Sequence, residues 1–351
     1  MEAIKSGNFV CGHDGMFFTA RRGAGKEDVV ICCIFESTAK SILVMLTYPS
    51  QADDVASASP DAVARGRRIG MLLILGSAVV WSFGGALARY LSVTDTWAVI
   101  FWRSAWAAAF LIGYMLRRDG VRLTLVHFRK MGLAGLGVSL CFAIASMAFV
   151  IALQYTSVAN ILLVQAGGPL IAASLAWLLF REKVTTGTWF AIATVIVGIA
   201  VMEAESLDSN VSPIGGALSL LISLVFALAT VLTRRFAHVE MVPAVVLGVL
   251  IACGVAAIKT QNFAVSPTDM LVLFAFGALN LGAGLALFIS GAKAIPASVA
   301  SLIGTTEPVL GPIWVWLIHG ETPSLFTLIG GMIVMTALIG HSLGQIWKKS
   351  S

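Results

Sequence analysis

Residues 163–195 read LVQAGGPLIAASLAWLLFREKVTTGTWFAIATV, and 139 positions later residues 302–334 read LIGTTEPVLGPIWVWLIHGETPSLFTLIGGMIV. Laid over each other, Pro169 falls on Pro308, Trp177 on Trp316, Glu182 on Glu321 and Thr188 on Thr327. Seven residues separate Pro from Trp in both copies, and four separate Trp from Glu. The flanks agree in kind: an apolar run, a short polar turn, a second apolar run. Repetition over this distance means a fold built from two copies of one unit. In a membrane chain it points to a transporter assembled from internal repeats.

Composition says that this is a membrane chain. Of 351 residues, 58% are hydrophobic and 12% charged, and the mean hydropathy is +0.92. No soluble domain hides that much apolar surface, so the chain spans a bilayer many times. The net charge of +5 does not imply nucleic acid, because the basic residues sit in short loops between apolar runs. Cys11, Cys32, Cys33, Cys141 and Cys253 show neither metal-ligand spacing nor a disulfide framework.

Residues 1–65 differ from the rest. Their apolar runs, 29–35 and 42–46, are too short to cross a bilayer, and no secretory signal is present. Gly23 to Lys26 invites a phosphate-loop reading, but Ala20 and Glu27 stand where Gly and Ser or Thr are needed. The expectation is a disordered extension, with Met45 as an alternative start.

Ten apolar runs follow, at about 69–88, 96–116, 131–153, 157–180, 187–204, 213–233, 241–258, 270–290, 296–318 and 324–346. Each approaches the ~20 residues a spanning helix needs, and helix is the form that satisfies its own backbone in lipid. If the first span begins in the cytoplasm, that side carries Arg65, Arg67, Arg68, Arg117, Arg118, Arg122, Arg129, Lys130, Arg181, Lys183, Arg234, Arg235, Lys293, Lys348 and Lys349. The other side holds only Arg89 and Lys259. That bias fixes both termini in the cytoplasm under the positive-inside rule. Five helices per unit is an odd number, so the second copy is inserted upside down. The expected fold is all-α integral membrane: ten transmembrane helices as two inverted five-helix repeats, 66–205 and 206–351.

Gly168-Pro-Leu, Leu-Phe-Arg-Glu182-Lys-Val-Thr, Thr306-Glu-Pro308 and His-Gly-Glu321-Thr-Pro, with Trp81-Ser-Phe-Gly and Phe101-Trp-Arg103, resemble the EamA family of the drug/metabolite transporter superfamily. The resemblance covers about 69–347. It implies a transporter, and it names no substrate, since such families move amino acids, nucleosides, other metabolites and drugs.

Six residues are candidates for substrate binding or coupling. Arg103 lies roughly 14 Å inside the second span, where a charge must face protein or water. It reads as an anchor for an anionic group or as a structural tie. Glu307 is the one acid well inside a span, beside Pro308 and Pro312, which interrupt helical bonding. It reads as a coupling carboxyl or as the partner of Arg103. Asn160, Gln165 and Asn280 serve as interhelical glue or as ligands. Trp81, like Trp102 and Trp106, offers a stacking face. Glu182 and Glu321, at helix ends, read as caps or ion-pair partners. No metal and no cofactor are expected.

The function expected is secondary active transport of a small metabolite or drug across the cytoplasmic membrane by alternating access, through proton-coupled efflux or exchange. An integral-membrane enzyme lacks its cluster of nucleophile, base or metal ligands here. A channel-like subunit would show rings of like residues, which are not apparent. Expected partners are membrane lipid and the small-molecule substrate, without nucleic acid, and with a homodimer open beside the monomer.

Overall fold

The computed structural model describes residues 11–12, 15–16, 60–181, 184–208, 213–236, 239–292, 294–295 and 297–350. The chain divides into two units, Met1–Ala56 and Ser57–Ser351. In the first, Cys11–Gly12 pairs antiparallel with Gly15–Met16. The disorder expected of residues 1–65 falls mainly outside the described residues, as does Glu182, but residues 60–65 are already helical, so the first helix starts earlier than the expected span at 69.

In the second unit every regular element is helical: α1 (Pro60–Ser82), α2 (Gly84–Tyr90), α3 (Thr96–Lys130), α4 (Gly132–Ala152), α5 (Val158–Ala166), α6 (Gly168–Phe180), α7 (Thr186–Asp208), α8 (Pro213–Arg235) and α9 (Val242–Lys259). Then come α10 (Pro267–Phe274), a π-helix over Ala275–Ala283, α11 (Gly284–Ala292), α12 (Ala297–Gly304), α13 (Thr306–His319) and α14 (Leu325–Ser350). Among the described residues seven helices are long and apolar enough to cross a membrane, and eight if α5 and α6, bent by 45°, count as one span. Thr186–Met202 is apolar but shorter. This is a multi-pass membrane protein.

Two boundaries differ from the sequence expectation. The second helix does not stop near 116: it turns at Gly120, with φ 73° and ψ 168°, and stays helical to Lys130. Polar side chains hold that extension. Arg118 grips Asp119 through two bonds of 2.7 and 2.8 Å, and the Thr124 hydroxyl donates to the Gly120 carbonyl at 2.8 Å. The first helix is broken at Phe83, which no Pro foreshadows.

The repeat in the sequence is a repeat of helix ends. Arg181 and Gly320 occupy matching positions, and both close their helix in the left-handed conformation, at φ 56° and φ 69°. The Arg181 N–H donates to the Trp177 carbonyl at 3.0 Å, and the Gly320 N–H to the Trp316 carbonyl at 2.9 Å. Beyond them Thr185 caps the next helix by accepting from the Thr188 N–H at 3.3 Å, as Ser324 does from Thr327 at 3.1 Å. Each such cap satisfies a helix-terminal donor that would otherwise be orphaned.

Matching helices of the two copies lie against one another, running in opposite directions. On α7 and α14, Thr188 meets His341 at 2.9 Å, while ten residues on, Gly198 packs on Gly330 and Val334. On α3 and α9, Ile100 clusters with Ala256, Ala108 with Val249, and Met115 with Val242. Small residues make this close approach feasible: a Cβ on Gly198 would stand 2.9 Å from the Gly330 carbonyl.

Candidate functional site

Regular helix fails at several places in this molecule, and the failures meet. At Phe83, α1 gives way to α2, which takes carbonyls near the break off the regular helical pattern, the Val80 carbonyl accepting from the Phe83 N–H three residues on at 3.4 Å. Asn280, on the π-helix, answers them: its amide nitrogen donates to the Val80 carbonyl at 2.5 Å and the Trp81 carbonyl at 3.3 Å. A π turn is wider than an α turn and marks places where a helix is locally remodelled, often at functional sites. From α13, the Trp314 indole N–H donates to the Ser82 hydroxyl at 3.0 Å, and its ring stacks on Phe83 at 4.7 Å. Three helices thus converge on one break.

The two remaining breaks are the repeat's own. Gly167 separates α5 from α6, and Thr305 separates α12 from α13. These helices also run antiparallel. Val158 lies at Glu321, and Leu162 lies where a Cβ on Gly311 would collide with it. Gln165 lies two residues before the break at Gly167, and Glu307 two residues after the break at Thr305. Gln165 is half-buried, and its amide nitrogen is buried without a hydrogen-bond partner. Glu307 stands in the first turn of α13, half-buried, and no ion pair joins it to any described residue. A carboxylate in a first helical turn faces the positive end of the helix dipole. The sequence foresaw an interruption here from Pro308 and Pro312; the chain departs just before them, at Thr305.

Arg103 is not the partner of Glu307. Its buried guanidinium donates to the Ser146 hydroxyl at 2.9 Å and lies over the Phe276 ring at 4.4 Å, with Phe149 at 5.7 Å. Those contacts come from α4 and the π-helix, so Arg103 ties three helices together. Cation–π contact offsets part of the cost of holding its charge away from water. Its Nε is buried without a partner.

The remaining candidates are placed as follows. Trp81 tilts against Phe288 at 5.5 Å, and its indole nitrogen faces Gly284, where a side chain would collide with it. Asn160 is buried and donates to the Thr156 hydroxyl at 3.1 Å, in the first turn of α5. Trp102 and Trp106 spend their N–H groups on the Phe263 carbonyl and the Met270 sulfur. The structure therefore brings Trp81, Asn280, Gln165 and Glu307 to helix interruptions, sets Arg103 in a joint of three helices, and sets Asn160 in the N-terminal turn of α5.

A latch that the sequence only half disclosed closes one end of the molecule. Glu321 takes Arg89 at 2.9 Å with one carboxylate oxygen and the Val158 N–H at 3.1 Å with the other. Arg89 in turn donates to the Leu153 carbonyl at 3.0 Å. One acid thus joins the end of α2, the start of α5 and the turn after α13. The signal was present in Arg89, one of two cations on the side otherwise poor in them. Among the described residues no group of His, Cys, Asp or Glu could hold a metal ion.

A helical membrane bundle with two matching halves and interrupted helices is the architecture of a membrane transporter built from internal repeats. The model of the EamA-like transporter family matches residues 68–203 and again 213–343, and the chain belongs to that family. It is 24% identical over 289 residues to the uncharacterized inner membrane transporter YicL of Salmonella typhimurium, spanning 79% of this chain and 96% of that one. It is 26% identical over 254 residues to the uncharacterized transporter YyaM of Bacillus subtilis, covering 69% and 82% of the two chains. A solved crystal structure superimposes with a TM-score of 0.57 at 18% identity, over 79% of this chain and 98% of its own, a likeness of fold alone.

Proposed function

We propose that this protein is a secondary active transporter of ten spans in two inverted five-helix halves, which moves a small metabolite or drug by alternating access. The observation that carries the reading is the pair of matching breaks at Gly167 and Thr305, on antiparallel helices, with Glu307 beside only the second. Interrupted helices expose backbone groups and dipole ends at mid-membrane, where transporters bind their cargo. The antiparallel course of α7 against α14 and of α3 against α9 supports the inversion.

Contacts between helix ends support the ten crossings and their direction. Arg89 with Glu321, Ser92 with Asp269 and Asp95 with Gln261 join ends that ten alternating spans put on the outer face. Arg118 with Glu240 and Thr188 with His341 join ends that they put on the cytoplasmic face. Glu307 is the coupling group in this reading. It carries a proton in one state and exchanges it in the other, which drives efflux or exchange. Asn280, Gln165 and Trp81 line the passage, and Arg103 and Asn160 position its walls.

The test is transport in proteoliposomes made with the purified chain. A substrate found by uptake screening should saturate, show counterflow and respond to an imposed pH gradient. Glu307→Gln should abolish the pH-driven component while the protein stays folded by thermal unfolding. Linear, voltage-driven flux, or an unchanged response in Glu307→Gln, would overturn the proposal.

A further inference from the structure

Beside the first helix lies a groove that takes no part in the arrangement above. Arg68, Met71, Leu72 and Leu75 of α1 face Ile303 and Thr306 around a volume of about 440 Å3. That falls in the ~300–1,000 Å3 range of small-molecule sites. Its lining is almost wholly apolar. The opposite face of α1 is spoken for, since Gly70 packs closely against Ala294 and Ile295. Leu72 is 55% exposed and Leu75 40%, so the groove opens sideways into the hydrocarbon.

Charge picks out what would fill it. Arg68 lines the groove, and Arg65 and Arg67 stand within one turn of it on the same helix, all exposed, with no ion pair joining them to a described residue. The positive-inside bias puts this end in the cytoplasmic leaflet, where anionic phospholipids attract basic residues at the membrane surface. Solvent-exposed arginines above an apolar slot match an anionic headgroup above an acyl chain. Inward, the slot ends at Ile303 and Thr306, either side of Thr305 where the ninth span breaks.

We propose that this groove is a binding site for one anionic phospholipid, its headgroup phosphate on Arg68 and an acyl chain along Met71, Leu72 and Leu75 as far as Thr306. A lipid seated there would press on the break itself. The site does not rest on the transport reading, because lipid binding is measured without flux.

The experiment is native mass spectrometry of the full chain, released from detergent with phosphatidylglycerol or phosphatidylcholine added at matched concentrations. One tightly held phosphatidylglycerol per chain is expected, displaced by excess unlabelled phosphatidylglycerol but not by glycerol phosphate. Arg68→Gln should weaken its retention roughly fivefold, the effect of losing one basic contact at an anionic surface. Leu72→Trp should abolish it by filling the slot, while Leu271→Trp, on the exposed face of α10, should leave it unchanged. Equal retention of both lipids, displacement by glycerol phosphate, or full retention in Arg68→Gln or Leu72→Trp would each overturn the proposal.

Discussion

In the first half the chain passes from α5 to α6 through Gly167 and enters the new helix at Gly168. In the second it passes from α12 to α13 through Thr305, and the position matching Gly168 is Glu307. Around these two points nearly everything else agrees. Both helices end in a left-handed residue that donates back to a Trp carbonyl, and both successors begin with a Ser or Thr cap. The scaffold has been doubled, but the charge at its centre has not. Helix ends answer to backbone hydrogen bonding, which is the same in either orientation. The carboxyl of Glu307 has no such backbone duty, and the first half does without it, with Gly168 in its place.

Six substitutions would break or sharpen this likeness. Gly168→Glu puts the second half's charge into the first. A Cβ there meets nothing within 4 Å, so the side chain fits. The charge itself should cost roughly 2.5–3.5 kcal/mol at the membrane centre, read as a fall in unfolding free energy in detergent. Glu321→Ala removes the latch. The lost cap on the Val158 N–H is worth about 1 kcal/mol and the partly exposed pair with Arg89 up to about 1 more, so a loss near 2 kcal/mol is expected.

Thr188→Val and Thr327→Val leave the capped N–H in place and remove the hydroxyl that meets the capping residue, Thr185 at 2.9 Å and Ser324 at 3.0 Å. The Thr188 hydroxyl also meets His341, so its loss should cost about 2 kcal/mol against about 1 kcal/mol for Thr327, at roughly 1 kcal/mol per net hydrogen bond. A reversed order in paired thermal-unfolding scans would deny that the Thr188 hydroxyl has a second duty in the first half. The smallest effect belongs to Arg181→Gly, which gives the first copy the residue of the second. A left-handed L-residue carries about 1 kcal/mol of strain, so this change should stabilise by up to that amount, and Gly320→Arg should lose it.

How much of this could be read in advance depended on what kind of force fixed each feature. The 139-residue spacing was legible because its identities, Trp177 and Trp316, Thr188 and Thr327, recur at fixed distances around the same pair of helix ends. Glu307 stood out because it is a lone acid in an apolar run, but its pairing was not legible: Arg103, the partner the sequence offered, is engaged with Ser146 and Phe276. The break at Phe83 was not, since it carries no Pro and is held by Asn280 nearly two hundred residues away. The π-helix escaped for the same reason: its sequence is as apolar as any α-helix, and the distortion belongs to its packing. Arg103 was seen to be buried, but Ser146 and Phe276 come to it only through the fold. The helical course from Gly120 to Lys130 was hidden by charges that a linear reading assigns to a loop.

The glycine crossing of α7 and α14 has a consequence for biogenesis. Gly198 emerges from the ribosome well over a hundred residues before Gly330, and chains assemble from the N-terminal end as they are made. Until the last helix arrives, Gly198 lacks the neighbours it has in the finished fold, Gly330, Ile333 and Val334. Insertion of α14 is therefore the step that seals the first half as well as finishing the second. A chain cut short before Leu325 would leave that flank open to the quality-control proteases of the membrane.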